Sequence, residues 1–111
     1  VNTGRGSDEV DGYGQGNTIH TESGDDKVRM KYGDYIPENP VSNFIDTGAG
    51  NDFVENRTDG ATIKTDSGND VIANLSSGSS IETGEGRDQV ESHGTDVTVD
   101  GESGINYLYE D

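Results

Sequence analysis

Five short loops end in aspartate, and their composition suits the chemistry of a hard cation. Thr-Gly-x-Gly-x-Asp occurs at 3–8, 47–52 and 83–88, and Thr-(Glu/Asp)-Ser-Gly-x-Asp at 21–26 and 65–70. Glycine reaches positive φ at no steric cost, so successive carbonyls in such a loop can point into one concavity. The closing carboxylates, Asp8, Asp26, Asp52, Asp70 and Asp88, add anionic oxygens. Carbonyl and carboxylate oxygens in flexible loops describe calcium better than magnesium or zinc.

The elements that must carry these loops are readable from spacing. The first aliphatic of each repeat falls at Val1, Ile19, Ile45, Ile63, Ile81 and Val99, in steps of 18, 26, 18, 18 and 18 residues, so one repeat holds an eight-residue insertion. A second aliphatic follows nine positions later, at Val10, Val28, Val54, Ile72, Val90 and Leu108. A fixed short period marks a stacked architecture in which each repeat buries its face against its neighbours. Nine residues are too few for a helical hairpin, whereas Val and Ile between Gly-rich runs fit short strands joined by tight turns. Two strands and two turns make an 18-residue coil. Six coils stacked about 4.8 Å apart give a roll roughly 25–30 Å long with a thin interior of two aliphatic ladders. In that stack the five aspartates form one column, whose repulsion a divalent cation between adjacent loops would remove. The other turns, "DGYGQGNT", "ENRTDGAT", "ANLSSGSS" and "ESHGTDVT", show no such constraint.

Composition sets the limits. Of 111 residues, 26% are hydrophobic, there is no cysteine, and 23 acidic residues against 7 basic ones give a net charge of −16. So polar a chain would ordinarily read as disordered, unless cations neutralise it. Its charge opposes nucleic acid and anionic membranes as principal partners. No apolar stretch approaches a membrane span, and a chain starting with Val reads as a piece of a larger polypeptide.

The loops resemble the Gly-Gly-x-Gly-x-Asp-x-U-x nonapeptide of RTX (hemolysin-type) calcium-binding proteins, with "TGAGNDFVE" at 47–55 as the best match. The resemblance covers essentially the whole chain. It implies an all-β, right-handed parallel β-roll and several calcium ions between adjacent coils. It also implies a bacterial protein exported by a type I system, secreted or on the cell surface, that folds on meeting calcium outside. Carried over, it assigns side-chain ligation to Asp8, Asp26, Asp52, Asp70 and Asp88. Carbonyl ligation falls to their loops: Thr3, Gly4 and Gly6; Thr21 and Gly24; Thr47, Gly48 and Gly50; Thr65 and Gly68; Thr83, Gly84 and Gly86.

This chain departs from the pattern. Threonine replaces the first glycine throughout, and the alternate half-repeats lack the motif, although Asn17 takes the Asp position in one of them. Calcium is therefore expected along one edge of the roll. The last repeat has Asn106 for Asp, so its site should be weak or absent, and "NYLYED" would cap the stack. The second loop position alternates between glycine (Gly4, Gly48, Gly84) and acid (Glu22, Asp66, Glu102). Those acids read as extra ligands or, in the preferred reading, as a solvated acidic turn.

Other chemistries lose on inspection. "DVTVDG" at 96–101 opens like an EF-hand loop but has Tyr107 at position twelve. The Gly-x-Gly pieces lack the Lys-Ser/Thr of a phosphate loop. His20 and His93 fall on different parts of the roll, and a thin roll offers no deep pocket for a carboxylate pair, so no catalytic role is expected. "NRT" at 56–58 and "NLS" at 74–76 match glycosylation sequons by chance. Strand alternation puts the threonine column inward and His20, Asp46, Lys64, Glu82 and Asp100 outward, a poor template for ice. The insertion, near 30–44, follows the basic stripe Lys27, Arg29 and Lys31. It reads as a tolerated surface loop, or as a contact for a partner domain or acidic ligand. The function expected is a calcium-coupled folding module; the alternative is an adhesin-type recognition module for carbohydrate or a cell surface.

Overall fold

A computed structural model describes residues 1–32 and 41–101, and the backbone of 105–110. Among the described residues eleven strands alternate between two sheets. The longer strands are β1 (Glu9–Tyr13), β3 (Lys27–Lys31), β5 (Phe53–Asn56), β7 (Val71–Asn74), β9 (Asp88–Ser92) and β11 (Ile105–Glu110). They form a six-stranded sheet in the order β1-β3-β5-β7-β9-β11. The three-residue strands β2 (Thr18–His20), β4 (Phe44–Asp46), β6 (Thr62–Lys64), β8 (Ser80–Glu82) and β10 (Thr98–Asp100) form the second sheet. All pairings are parallel, and the chain winds through about five turns of a β-solenoid. No helix among the described residues is long and apolar enough to cross a membrane.

The register is the one the repeat requires. Val10, Val28, Val54, Ile72, Val90 and Leu108 pair in line, as do Ile19, Ile45, Ile63, Ile81 and Val99. The apolar ladders are buried, with Val28, Ile45, Val54, Ile63 and Val90 fully enclosed. A single file of one aliphatic per strand cannot fill the space between the sheets, and polar columns line both ends of the interior. At the acidic-loop edge stand Thr21, Thr47, Thr65 and Thr83 opposite Asp26, Asp52, Asp70 and Asp88, all within 3% of complete burial. The threonine column thus points inward, as alternation requires; Thr3, in the terminal coil, is exposed.

The opposite edge corrects the expectation that its turns carry no constraint. Asn56 and Asn74 are fully buried. The two N–H groups of Asn56 Nδ2 are shared among Asn74 Oδ1 at 3.0 Å, Ser76 Oγ at 2.9 Å and the Thr58 carbonyl at 3.0 Å. Its Oδ1 accepts from the Thr58 amide and hydroxyl, at 3.1 and 2.7 Å. Asn74 continues the ladder to Ser92 Oγ at 3.3 Å. An amide carries donors and an acceptor, so it can bond its own turn and the next coil at once, satisfying groups whose burial would otherwise be costly. Burial also removes Asn56 and Asn74 as glycosylation acceptors.

The insertion is narrower than 30–44. Lys27–Lys31 forms β3, with Met30 in the core, and Asn43 and Phe44 rejoin the stack. Met30 sulfur lies against Gly12 Cα, in space that a side chain at residue 12 would need. Residues 33–40, Glu102 and the side chains of "NYLYED" lie outside the described residues. On the backbone, a register shift falls between Ile105 and Tyr107, where the repeat would place an aspartate.

Candidate functional site

Each acidic loop leads into a long strand, the last four from a short one, and the loop aspartate is the last residue before, or the first within, that long strand. Strand alternation then turns its carboxylate to the inside, in phase with the aliphatic two residues on. The carboxylates link successive coils in one direction. The amides of Asp8, Asp26, Asp52 and Asp70 donate to Oδ1 of Asp26, Asp52, Asp70 and Asp88 at 2.9, 2.9, 2.9 and 3.0 Å. The second oxygen, Oδ2, of all five aspartates is buried with no hydrogen-bond partner. Thr47 and Thr83 hydroxyls, buried in the facing column, are equally unpartnered, whereas Thr21 and Thr65 hydroxyls donate to the carbonyls of Thr47 and Thr83.

This arrangement burdens the ionised form. Burial pushes the Asp52 carboxyl up to about 6, against the Asp26 amide and Thr47 hydroxyl beside it, and the charges of Asp26 and Asp25 push the same way. Burial pushes Asp70 up to about 7, offset in part by the Asp52 amide and Thr65 hydroxyl, with Asp52 and Asp88 adding repulsion. The threonine hydroxyls are close enough to help electrostatically but do not give Oδ2 a hydrogen bond of proper geometry.

The loop backbone explains which glycines are obligatory. At the fourth loop position, Gly24, Gly50, Gly68 and Gly86 have positive φ, and a Cβ on any of them would overlap the carbonyl oxygen of Gly6, Gly24, Gly50 or Gly68 one coil earlier. The second position alternates for a related reason. The carbonyls of Glu22 and Asp66 accept from the amides of Ala49 and Glu85, both at 3.0 Å, and in doing so occupy the space where Gly48 and Gly84 would carry Cβ. Glu22 and Asp66 themselves adopt φ of 70° and 58°, a left-handed conformation unusual for non-glycine residues. The 36-residue alternation is therefore steric: an acid is followed by a glycine in the next coil.

Asp66 lies on the outer side of its loop. Its carboxyl is pushed up by burial and by the adjacent Asp46, with Lys64 opposing and Glu82 reinforcing. It does not join the inward Asp column. On the exposed side of the same loops a further ladder satisfies turn amides: the Asn51 amide donates to Asp25 Oδ1 at 2.9 Å, that of Asn69 to Asn51 Oδ1 at 2.8 Å and that of Arg87 to Asn69 Oδ1 at 2.9 Å. At the opposite edge, the Asn17 amide donates to Asn43 Oδ1 at 2.8 Å, repeating the Asp pattern with a neutral side chain.

The structure thus brings together the five aspartates as a column with one free oxygen per coil, and leaves His20 on β2 beside Asp46 and His93 in the turn after β9 beside Glu91. Among the described residues no three His, Cys, Asp or Glu side chains converge on one point. Any cation on this column would take about one carboxylate oxygen per coil and need loop carbonyls for the rest, which is a hard-oxygen donor set suited to calcium. The asparagine ladder escaped the sequence reading, although "VEN" and "IAN" repeat at 18 residues four positions after each aspartate. Comparison with protein-family models, curated proteins and solved structures finds no match for this chain.

Proposed function

We propose that this chain is an RTX-like module that binds calcium at its acidic-loop edge and uses that binding to fold, as a structural or secretion-associated part of a larger bacterial protein acting outside the cell. The observation that carries the reading is the column of five buried Oδ2 atoms without partners. Buried anionic oxygens are costly when uncompensated, and four inter-coil steps repeat the same deficit. A cation supplies what the column lacks. Binding that requires the folded stack contributes directly to folding free energy, because the unfolded chain offers no preformed site. A net charge of −16 acts in the same sense, opposing compaction until cations neutralise it.

The residues that would hold calcium are Asp8, Asp26, Asp52, Asp70 and Asp88 through Oδ2, with carbonyls of the same loops. Glu22 and Asp66 take part in this reading only through their backbone, whose conformation sets the loop shape. The test is far-UV circular dichroism during a calcium titration from chelator, with magnesium as the control. A coil spectrum that converts to β signal with calcium and not with magnesium supports the reading. A spectrum already β-like in chelator, with no thermal shift on adding calcium, removes it.

A further inference from the structure

The chain's negative charge is unevenly distributed. Along the outer face of the six-stranded sheet, four cations (Lys27, Arg29, Lys31, Arg57) balance four carboxylates (Glu9, Asp11, Glu55, Glu91). Among the described residues that face is neutral, in a molecule of net charge −16, and holds four of the seven basic residues. Its first three coils enclose a groove of about 360 Å³. The floor is Gly12 over the buried Met30. One wall is Tyr13, 59% exposed, with Lys31 Nζ 5.1 Å from its ring centre. The other is Arg57, whose Nη2 lies 3.5 Å from Glu55 Oε1. Arg29 crosses between them, 3.6 Å from Glu9, 3.9 Å from Asp11 and 3.9 Å from Glu55. The Arg29 contacts are at ion-pair rather than hydrogen-bond distances, so its guanidinium donors remain open to a closer acceptor.

We propose that this groove binds a carboxylated sugar residue of a glycan. The groove is amphoteric: Arg57, Arg29 and Lys31 offer donors to a carboxylate, while Asp11 and Glu55 offer acceptors to hydroxyl groups. A bare anion meets the cations but is repelled by Asp11 and Glu55. A neutral sugar leaves the guanidinium without the planar, bidentate partner it favours. An acidic sugar answers both, and its apolar ring face can lie on Tyr13, an aromatic with a polar tip suited to half-wet sites. The volume falls at the small-ligand end of the usual range for binding sites. The site lies on the outer sheet face, away from the inward aspartate column, and does not depend on what that column binds.

The test is a titration of folded, isotope-labelled protein in calcium-containing buffer with 3′-sialyllactose, lactose and sulfate, read by amide chemical shifts. Sialyllactose should shift the amides of Tyr13, Arg29, Lys31 and Arg57, with lactose and sulfate weaker by about tenfold or more. Tyr13→Ala and Arg57→Gln, both at exposed positions, should weaken it about tenfold with the melting temperature unchanged. Absence of shifts, equal affinity for lactose or sulfate, unaltered binding in both variants, or shifts confined to the aspartate loops would each overturn the proposal.

Discussion

The backbone amide of Asp52 donates to Oδ1 of Asp70 at 2.9 Å, one coil away, while Oδ2 of the same Asp70 carboxylate is buried without a partner. One residue thus does two opposed things: it satisfies a turn amide and adds an uncompensated negative charge to the interior. Asp70→Asn separates them, because the amide oxygen still accepts from Asp52 while the charge is gone. In chelator at pH 8 the variant should be more stable than the parent by about 1 kcal/mol or more. Its gain in melting temperature on adding calcium should be smaller. Asp70→Ala removes the acceptor as well and should lose about 1–3 kcal/mol in calcium. Urea unfolding of the three proteins with and without calcium measures all of these differences.

The loop glycines predict a sharp positional contrast. Gly50→Ala places a methyl group on the Gly24 carbonyl, at φ of 131°. Neither backbone can yield without breaking the inter-coil bonds of its loop, such as Gly50 to the Ser67 carbonyl at 3.0 Å. The loss should exceed about 3 kcal/mol, at the large end for single substitutions. Gly4→Ala meets nothing within 4 Å, and only its φ of 85° opposes it, so it should cost about 1–2 kcal/mol. Glu22→Gly relieves an existing left-handed residue and should be neutral or stabilising by up to about 1 kcal/mol. Thermal melts that rank the three in any other order would contradict this account of the loop.

What the sequence disclosed and what it hid follow from the same geometry. The aliphatic period placed Val54 opposite Ile72, and Ile45 opposite Ile63, because one buried side chain per strand admits no other register. Alternation also placed Thr47 inward. The sequence did not disclose how the loop carbonyls lie, so the Gly48–Asp66–Gly84 alternation read as a solvated acidic turn or, second, as extra ligands. Its cause is a peptide orientation that only coordinates reveal: the Asp66 carbonyl stands where Gly84 has no side chain. Nor did it show that Asn56 and Asn74 are interior residues, since an asparagine beside a Gly/Ser-rich turn ordinarily reads as solvated. The insertion's start was misplaced because "RMK" continues the strand pattern for three residues, with Met30 inward.

The asparagine ladder should matter as much as the aspartate column, but independently of calcium. Asn74→Ala leaves Asn56 Nδ2 without its 3.0 Å acceptor and Ser76 Oγ without its 2.8 Å one, both fully or nearly fully buried. Asn56 keeps Thr58 and Ser76 as acceptors and Ser76 keeps Ser79, so the lost ladder bonds and a small cavity should cost about 1–3 kcal/mol. The decrement should be the same at saturating and at twofold lower calcium, because the ladder lies at the edge opposite the acidic loops. A double-mutant cycle with Asp70→Asn checks that independence: the two effects should add within about 0.5 kcal/mol.

The raised acidities of Asp52 and Asp70 fix the sign of the pH response. In the folded, metal-free protein these carboxyls titrate at about 6 and about 7, against 3.8 ordinarily. Between those values the folded state holds protons that the unfolded chain has released, so stability falls as pH rises. Chelated protein should therefore melt at a higher temperature at pH 5 than at pH 8, with most of the change between about pH 4 and pH 7. Calcium should reverse the trend, since it binds the deprotonated carboxylates and competes with protons for them. Thermal melts across this range, in chelator and in millimolar calcium, would thus give two curves of opposite slope. Flat curves in both would mean that the column is neutralised by something other than protons or calcium.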